Sequence, residues 1–240
     1  MYRQLGVNLD SMALLRQWRG METPDPILFA GLAEAAGAAH IQVHLRSDRL
    51  HIQPRDIRLL RETVKTSLIL RMAPTQEMLQ TAYDIKPREV IFVPEPQDER
   101  SPELGLDIQT DMDLIRKYIA ALRDAEIIAR VFVEADVDQV RAAHRAEAQS
   151  IVLDTGKLTD AKDAADIGTA IQRIDDAART AHKLGMRVAA SNRLNHHNVR
   201  HIRQISAISE IHAGHGIVSQ ALLTGFESAV RQMLEAIQPY

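Results

Sequence analysis

Short apolar runs rich in β-branched residues recur along the chain at residues 4–10, 41–45, 67–72, 89–94, 130–134, 150–154, 187–190 and 210–214. Runs this short, without polar alternation, are the mark of strands buried on both faces. Between them lie segments with helical spacing of apolar positions, among them 55–66, 112–125, 137–146, 161–184, 197–205 and 218–237. Alternating strands and helices predict parallel pairing, because a parallel neighbour is reached only through a crossover. Eight such units close most simply into a (β/α)8 TIM barrel of the α/β class, one domain over residues 1–240. An open doubly wound sheet is the competing topology. Against it, the first strand runs into Asp10-Ser11 and not into a glycine-rich dinucleotide loop. Pro and Gly sit singly at junctions such as Thr23-Pro24-Asp25-Pro26, so no linker divides the chain.

A barrel of this kind builds its site at the C-terminal ends of the strands. Those ends read Asn8 and Asp10, His44 and Arg46, Arg71, Glu95, Glu134, Asp154, Asn192 and Arg193, and Gly214-His215. Loops at the opposite mouth, such as Ala36-Gly37-Ala38-Ala39 and Leu184-Gly185-Met186, are small and bland. The asymmetry points to a ligand site at the polar end. Its densest part is Val43-His44-Leu45-Arg46-Ser47-Asp48-Arg49-Leu50-His51-Ile52, which delivers two imidazoles and a guanidinium into one loop. There the guanidinium suits an anion and an imidazole suits proton transfer. The segment 94–107 is long for a strand-to-helix loop and rich in acids, which predicts a mobile lid.

Composition narrows the function. A net charge of −3 with 4% aromatic residues offers neither the basic field nor the stacking platform of a nucleic-acid binder. No run approaches the ~18 apolar residues of a membrane span, and the N-terminus reads as entering a strand, so a cytoplasmic protein without membrane contact is expected. The absence of cysteine removes disulfides, thiolate nucleophiles and zinc–thiolate sites together. His197 and His201 stand at a spacing that can bind zinc, but no nearby carboxylate completes the set, and no metal is expected.

Several stretches resemble the pyridoxine 5'-phosphate synthase family. They are Gly6-Val7-Asn8-Leu9-Asp10, Leu15-Arg16-Gln17-Trp18-Arg19-Gly20, His44 to Gln53, Met72-Ala73-Pro74-Thr75-Gln76-Glu77-Met78, Gly105-Leu106-Asp107, His197-Asn198-Val199 and Gly214-His215. They run in order from the first strand to the last. The resemblance implies a cofactor-free (β/α)8 enzyme, a homo-oligomer built of dimers, that condenses 1-deoxy-D-xylulose 5-phosphate with 3-amino-2-oxopropyl phosphate into a pyridine ring. By position it implies that His44 is the catalytic base and that Arg46 with His51 holds the ketose phosphate. Asn8, Arg19 and Gly214-His215 match the site of the aminoketone phosphate.

The chain departs from the family pattern elsewhere. Leu70-Arg71-Met72-Ala73 stands where the family has Leu-Glu-Met-Ala, so a carboxylate base has become a cation. Ser191-Asn192-Arg193 replaces Gly-His-Gly, Ser11 replaces a His, Ser101-Pro102 replaces paired threonines and Glu134-Ala135 replaces Asp-Pro. On the sixth strand a Glu is now Val152, and an acid appears two residues on as Asp154. New arginines and relocated acids read as replacement and not as decay. Arg71 and Arg193 either meet a more anionic ligand, together with Asp10, Ser101 and Asn192, or pair with Asp154 and Glu134 to seal an inert pocket.

Overall fold

Eight parallel strands pair in sequence order and the last returns to the first, where Gln4 to Val7 lie in register with Glu210 to Ala213. A computed structural model describes residues 2–95 and 104–238. Along the chain these are β1 (Gln4–Asn8), α1 (Asp10–Arg19), α2 (Pro26–Ala36), β2 (His40–His44), α3 (Pro54–Thr63), β3 (Leu68–Met72), α4 (Gln76–Ile85) and β4 (Glu89–Phe92). There follow α5 (Met112–Asp124), β5 (Ile128–Val133), α6 (Val137–Arg145), β6 (Ser150–Asp154), α7 (Gly156–Asp160), α8 (Ala164–Lys183), β7 (Arg187–Ser191), α9 (Val199–Ile202), β8 (Glu210–Ala213), α10 (His215–Thr224) and α11 (Phe226–Ile237). The closed barrel predicted from the apolar runs is therefore present, and the open sheet is not.

Several helix boundaries differ from the spacing, each for a local reason. The expected helix 218–237 is broken at Gly225, whose φ of 81° lies in the left-handed region and separates α10 from α11. Residues 161–163 end one short helix and cap the next, Asp163 accepting from the backbone N–H groups of Ala165 and Asp166. The segment 197–205 is helical only over α9. The first strand stops at Asn8, and Asp10 instead opens α1, where an acid suits the helix start. Periodicity had not marked α1, α2 or α4. In α2 the apolar residues spread around the whole helix, and its signal is the Asp25-Pro26 start, in which the Asp25 carboxylate accepts from Ile27 N.

Alternate residues of each strand face the barrel axis, and they form layers. The middle layer is apolar, with Ile69, Ile91, Val93, Phe132, Val152 and Ala189 packed together. Below it lies an ionic layer. Arg130, fully buried, contacts Glu89 through Nε and Glu210 through Nη1 at 2.6 Å. His212 and His40 approach the same Glu210 oxygen at 3.4 and 3.6 Å. Burial alone would raise the Glu210 carboxyl, but His212 and Arg130 draw it below the usual carboxylate range. One cation thus ties β4, β5 and β8 together across the barrel interior. Arg130→Met should destabilise the protein by about 3–5 kcal/mol, read as a lower urea midpoint, because it leaves two buried carboxylates without their cation. Adding Glu89→Gln and Glu210→Gln to that variant should recover part of the loss.

Candidate active site at the C-terminal mouth

Two residues further along the strands, the inward positions become polar and open into a cavity of about 950 Å³. Its walls include Asn8, Asp10, Ser11, His44, Arg46, His51, Arg71, Asn192, Arg193, Gly214 and His215, so the structure gathers these sequence-predicted residues at one mouth. Arg19 is not among them; it lies exposed on the last turn of α1 beside Trp18. Ser101 and most of the expected lid fall outside the described residues.

One wall is built around His44. Its backbone N–H donates to Asp10 Oδ1 at 2.7 Å, while Asn8 Nδ2 donates to Asp10 Oδ2 at 2.6 Å. The His44 ring stands 6.1 Å from that of His51, and its Nε2 is buried with no hydrogen-bond partner among the described residues. Burial and then Arg71 push the His44 imidazole down to about 3, so the ring is neutral near pH 7. Asp10 stays ionised: burial opposes this, but His51, His44 and Arg71 hold its carboxyl below the usual range. His51 Nδ1 accepts from Ile52 N at 2.9 Å, which leaves Nε2–H as the ring's donor. Arg46, 3% exposed, grips Asp48 in a fork at 3.0 and 2.6 Å and holds that carboxyl down at about 2.

Sequence reasoning missed what anchors this loop. Arg16 of α1 donates a buried pair of hydrogen bonds to the Asp56 carboxylate at 2.8 and 2.5 Å and also donates to the backbone carbonyl of His51 at 3.2 Å. Asp56 at the same time accepts from Gln53 N, which starts α3. The usable signal was Gln53-Pro54-Arg55-Asp56, a helix-start pattern directly behind the His-Arg-His loop.

The opposite wall carries Arg71, Asn192 and Arg193. Arg71, 7% exposed, lies with its guanidinium carbon 5.7 Å from the Phe132 ring centre, between the charges of Asp10 and Asp154. The predicted alternative pairing of the arginines holds only in part. Arg193 meets Asp160 at 2.5 Å, and Glu134 meets Lys157 at 2.6 Å. Asp154 lies close enough to Arg71 to stabilise its charge, and it accepts from Gly156 N at 2.8 Å and Asn192 Nδ2 at 2.7 Å. Asn192 and Arg193 both take left-handed backbone, φ 87° and 55°, a conformation secured by Thr155 Oγ1 donating to Asn192 O and Asn198 Nδ2 donating to Arg193 O. At the third side α10 begins at His215. A Cβ on Gly214 would lie 2.9 Å from Asn8 Oδ1, and one on Gly216 would lie 2.3 Å from Leu194 O, so both glycines are required by close approach.

Fold and site together define a (β/α)8 enzyme whose polar strand ends combine a neutral buried imidazole with arginines and a helix start suited to anions. The chain belongs to the pyridoxal phosphate biosynthesis protein PdxJ family, which it matches over residues 5–239. It is 42% identical to the pyridoxine 5'-phosphate synthase of Geotalea daltonii over 235 residues, 98% of each chain, and equally to that of Geobacter sulfurreducens. Among solved structures, a Mycobacterium tuberculosis tryptophan synthase chain superposes with a TM-score of 0.68 at 10% identity, covering 100% of this chain and 94% of that one. The Thermotoga maritima phosphoribosylanthranilate isomerase gives 0.57 at 15% identity, with 98% of each covered. Likenesses this distant show the barrel and nothing finer.

Burial first, and then the neighbouring Glu134 carboxylate, push the Asp154 carboxyl up to about 6 against the bonds from Gly156 and Asn192. A folded-state value above that of an unfolded aspartate means that ionising Asp154 lowers stability: the penalty is absent below about pH 4 and grows as pH rises to about 6. Asp154→Asn should therefore melt progressively higher relative to wild type across that window. A melting difference independent of pH would contradict the assignment.

Proposed function

We propose that this chain is a diverged relative of the pyridoxine 5'-phosphate synthases that binds a small phosphorylated or carboxylated carbonyl compound and carries out enolisation and condensation on it without a cofactor. The observation that carries this reading is His44 Nε2, buried and without a hydrogen-bond partner among the described residues, on a wall shared with Arg46, His51 and Arg71. His44 would take the proton from the carbon beside the ligand carbonyl. Its basicity, suppressed by burial and then by Arg71, would return in part once an anionic ligand offsets the Arg71 charge. Arg46 and His51 Nε2–H would hold the ligand's phosphate, with Arg46 sharing its fork between Asp48 and the anion. The backbone N–H groups at the start of α10 suit a second anionic group, with Gly214 leaving room beside Asn8. Arg71 would face the negative charge that develops on the carbonyl oxygen.

The parent ring closure needs a second base and an acid, at positions now held by Arg71 and Asn192. Each loss is expected to lower the rate by on the order of 100-fold. A reading in which the parent activity persists is favoured by the 42% identity over nearly the whole chain. Complementation of a pyridoxine-requiring strain separates the two: no growth is expected at ordinary expression, and growth would establish the parent activity. Independently, the protein should incorporate deuterium from heavy water into 1-deoxy-D-xylulose 5-phosphate, and His44→Ala should abolish this.

A homo-oligomer built of dimers belongs to the same proposal. Trp18, Met21, Leu222 and Leu223 are exposed on or just beyond α1 and α10, which touch one another, and Arg19 stands beside them. Lying outside its own cavity, Arg19 would reach an anion site only across such an interface. For the anion site itself, sulfate should raise the melting temperature and Arg46→Ala should remove most of that rise. An equal rise in both proteins would place the anion elsewhere.

A further inference from the structure

The apolar middle layer is drawn from the β3 to β7 side of the barrel. On β8, β1 and β2 the inward positions two residues above Glu210, Gln4 and His40 are His212, Gly6 and Gln42. A Cβ on Gly6 would lie 2.5 Å from Gln42 Nε2 and 2.8 Å from His212 Cδ2, so glycine there leaves room for both side chains over β1. Of the three, His212 lines the cavity at the mouth, although it is only 1% exposed. Its two ring nitrogens have different surroundings. Nε2 lies 3.4 Å from Glu210 Oε2, an oxygen that Arg130 Nη1 reaches at 2.6 Å and His40 Nε2 approaches at 3.6 Å. Glu210, held ionised by these neighbours, can only accept, so Nε2 carries the ring proton. Burial pushes the His212 imidazole down to about 4 against the pull of Glu210, and the ring is neutral near pH 7. Nδ1 is then an acceptor, buried and without a hydrogen-bond partner among the described residues. Cδ2 and Nε2 form the ring edge turned to β1 and the ionic layer; Nδ1 is on the opposite edge. No step assigned to His44, Arg46, His51 or Arg71 involves this imidazole.

Resting on the phosphorylated carbonyl ligand proposed above, we infer that His212 is a specificity-determining residue whose Nδ1 accepts a hydrogen bond from a hydroxyl group of that ligand, which makes hydroxyketone phosphates the preferred class. The hydroxyl-bearing end enters deepest, toward the ionic layer, while the phosphate stays with Arg46 and His51. Glu210 itself remains out of the ligand's reach and acts through the tautomer it imposes on His212. A buried acceptor without a donor costs free energy, and a hydroxyl relieves that cost without bringing in a charge. A methyl group in the same place would leave Nδ1 unsatisfied. A protonated amine would give up its hydration at a buried edge whose nearest carboxylate already serves Arg130 and His212, so it fits less well than the hydroxyl.

The probes are 3-hydroxy-2-oxopropyl, 2-oxopropyl and 3-amino-2-oxopropyl phosphate, which differ only at the carbon farthest from the phosphate. In calorimetric titrations of the full chain near neutral pH, wild type should bind the hydroxyketone about tenfold or more tighter than the 2-oxopropyl compound, and the amine should gain no such advantage. His212→Leu should bind the hydroxyketone and the 2-oxopropyl phosphate with equal affinity. In ligand-free wild type, nitrogen NMR of the imidazoles should show His212 protonated at Nε2 and not at Nδ1, and the Nδ1 signal should shift on addition of the hydroxyketone. Discrimination that survives His212→Leu, or equal binding of those two phosphates by wild type, would overturn the inference. Loss of both ligands in His212→Leu would mark a structural role and overturn it too. A proton on Nδ1 in the free protein rejects it with no variant or ligand involved. Tightest binding of the aminoketone, lost in His212→Leu, would assign the site to an ammonium and reject the hydroxyl. If none of the three binds, the phosphate site itself fails and the inference with it, whereas binding of all three alike rejects the inference and leaves the proposed function standing.

Discussion

The buried Arg130 cation is the constraint around which the barrel is arranged. It lies under the apolar middle layer and bonds Glu89 of β4 and Glu210 of β8, with His212 and His40 on the same carboxylate. Ions so deep are tolerable only when each is paired and hydrogen-bonded, which fixes the relative heights of three strands drawn from different parts of the ring. Strand height in turn decides which residue of each strand emerges at the C-terminal mouth. Two positions up from Glu89 and Arg130 come Ile91 and Phe132, and two up from Phe132 comes Glu134. The register of the site is inherited from an ionic layer that never meets a ligand.

At the mouth, the two walls obey different physics. The His44 wall is organised by hydrogen bonds to neutral or fully ionised partners: Asn8 fixes Asp10, Asp10 fixes the His44 backbone, and Arg16 with Asp56 fixes the loop that carries His51. It is preorganised and leaves one imidazole nitrogen free. The Arg71 wall is held by charge, with Phe132 below and acids on either side. On that wall an arginine at the end of β3 lies in the field of an acid at the end of β6, Asp154 favouring the charge of Arg71.

Much of this was legible from residues alone. The eight apolar runs mark all eight strands because parallel strands covered on both faces need continuous apolar side chains. Of the polar strand ends, Asn8, Asp10, His44, Arg46, Arg71, Asn192, Arg193 and Gly214-His215 line the cavity while Glu95, Glu134 and Asp154 do not, since position at a strand end determines position at the mouth. What stayed hidden depends on contacts between distant segments. Nothing local to Arg16 indicates Asp56, forty residues on, and nothing local to Arg193 indicates that it turns to Asp160 instead of Glu134 or Asp154. The helices α2 and α4 escaped, and their sequence signals are the caps at Asp25 and Thr75.

Gly216 lets the first turn of α10 rest against the backbone of Leu194 and Asn195, with no room for even a methyl group between them. The loop after β7 and the start of α10 therefore behave as one mechanical piece. Asn192 and the α10 amides cannot adjust independently, so a substitution in that loop that relieves its left-handed backbone would also shift the donors at the far side of the cavity. On the β3 and β6 side, by contrast, side chains can be exchanged without moving backbone. Arg71 and Asp154 lie on that side.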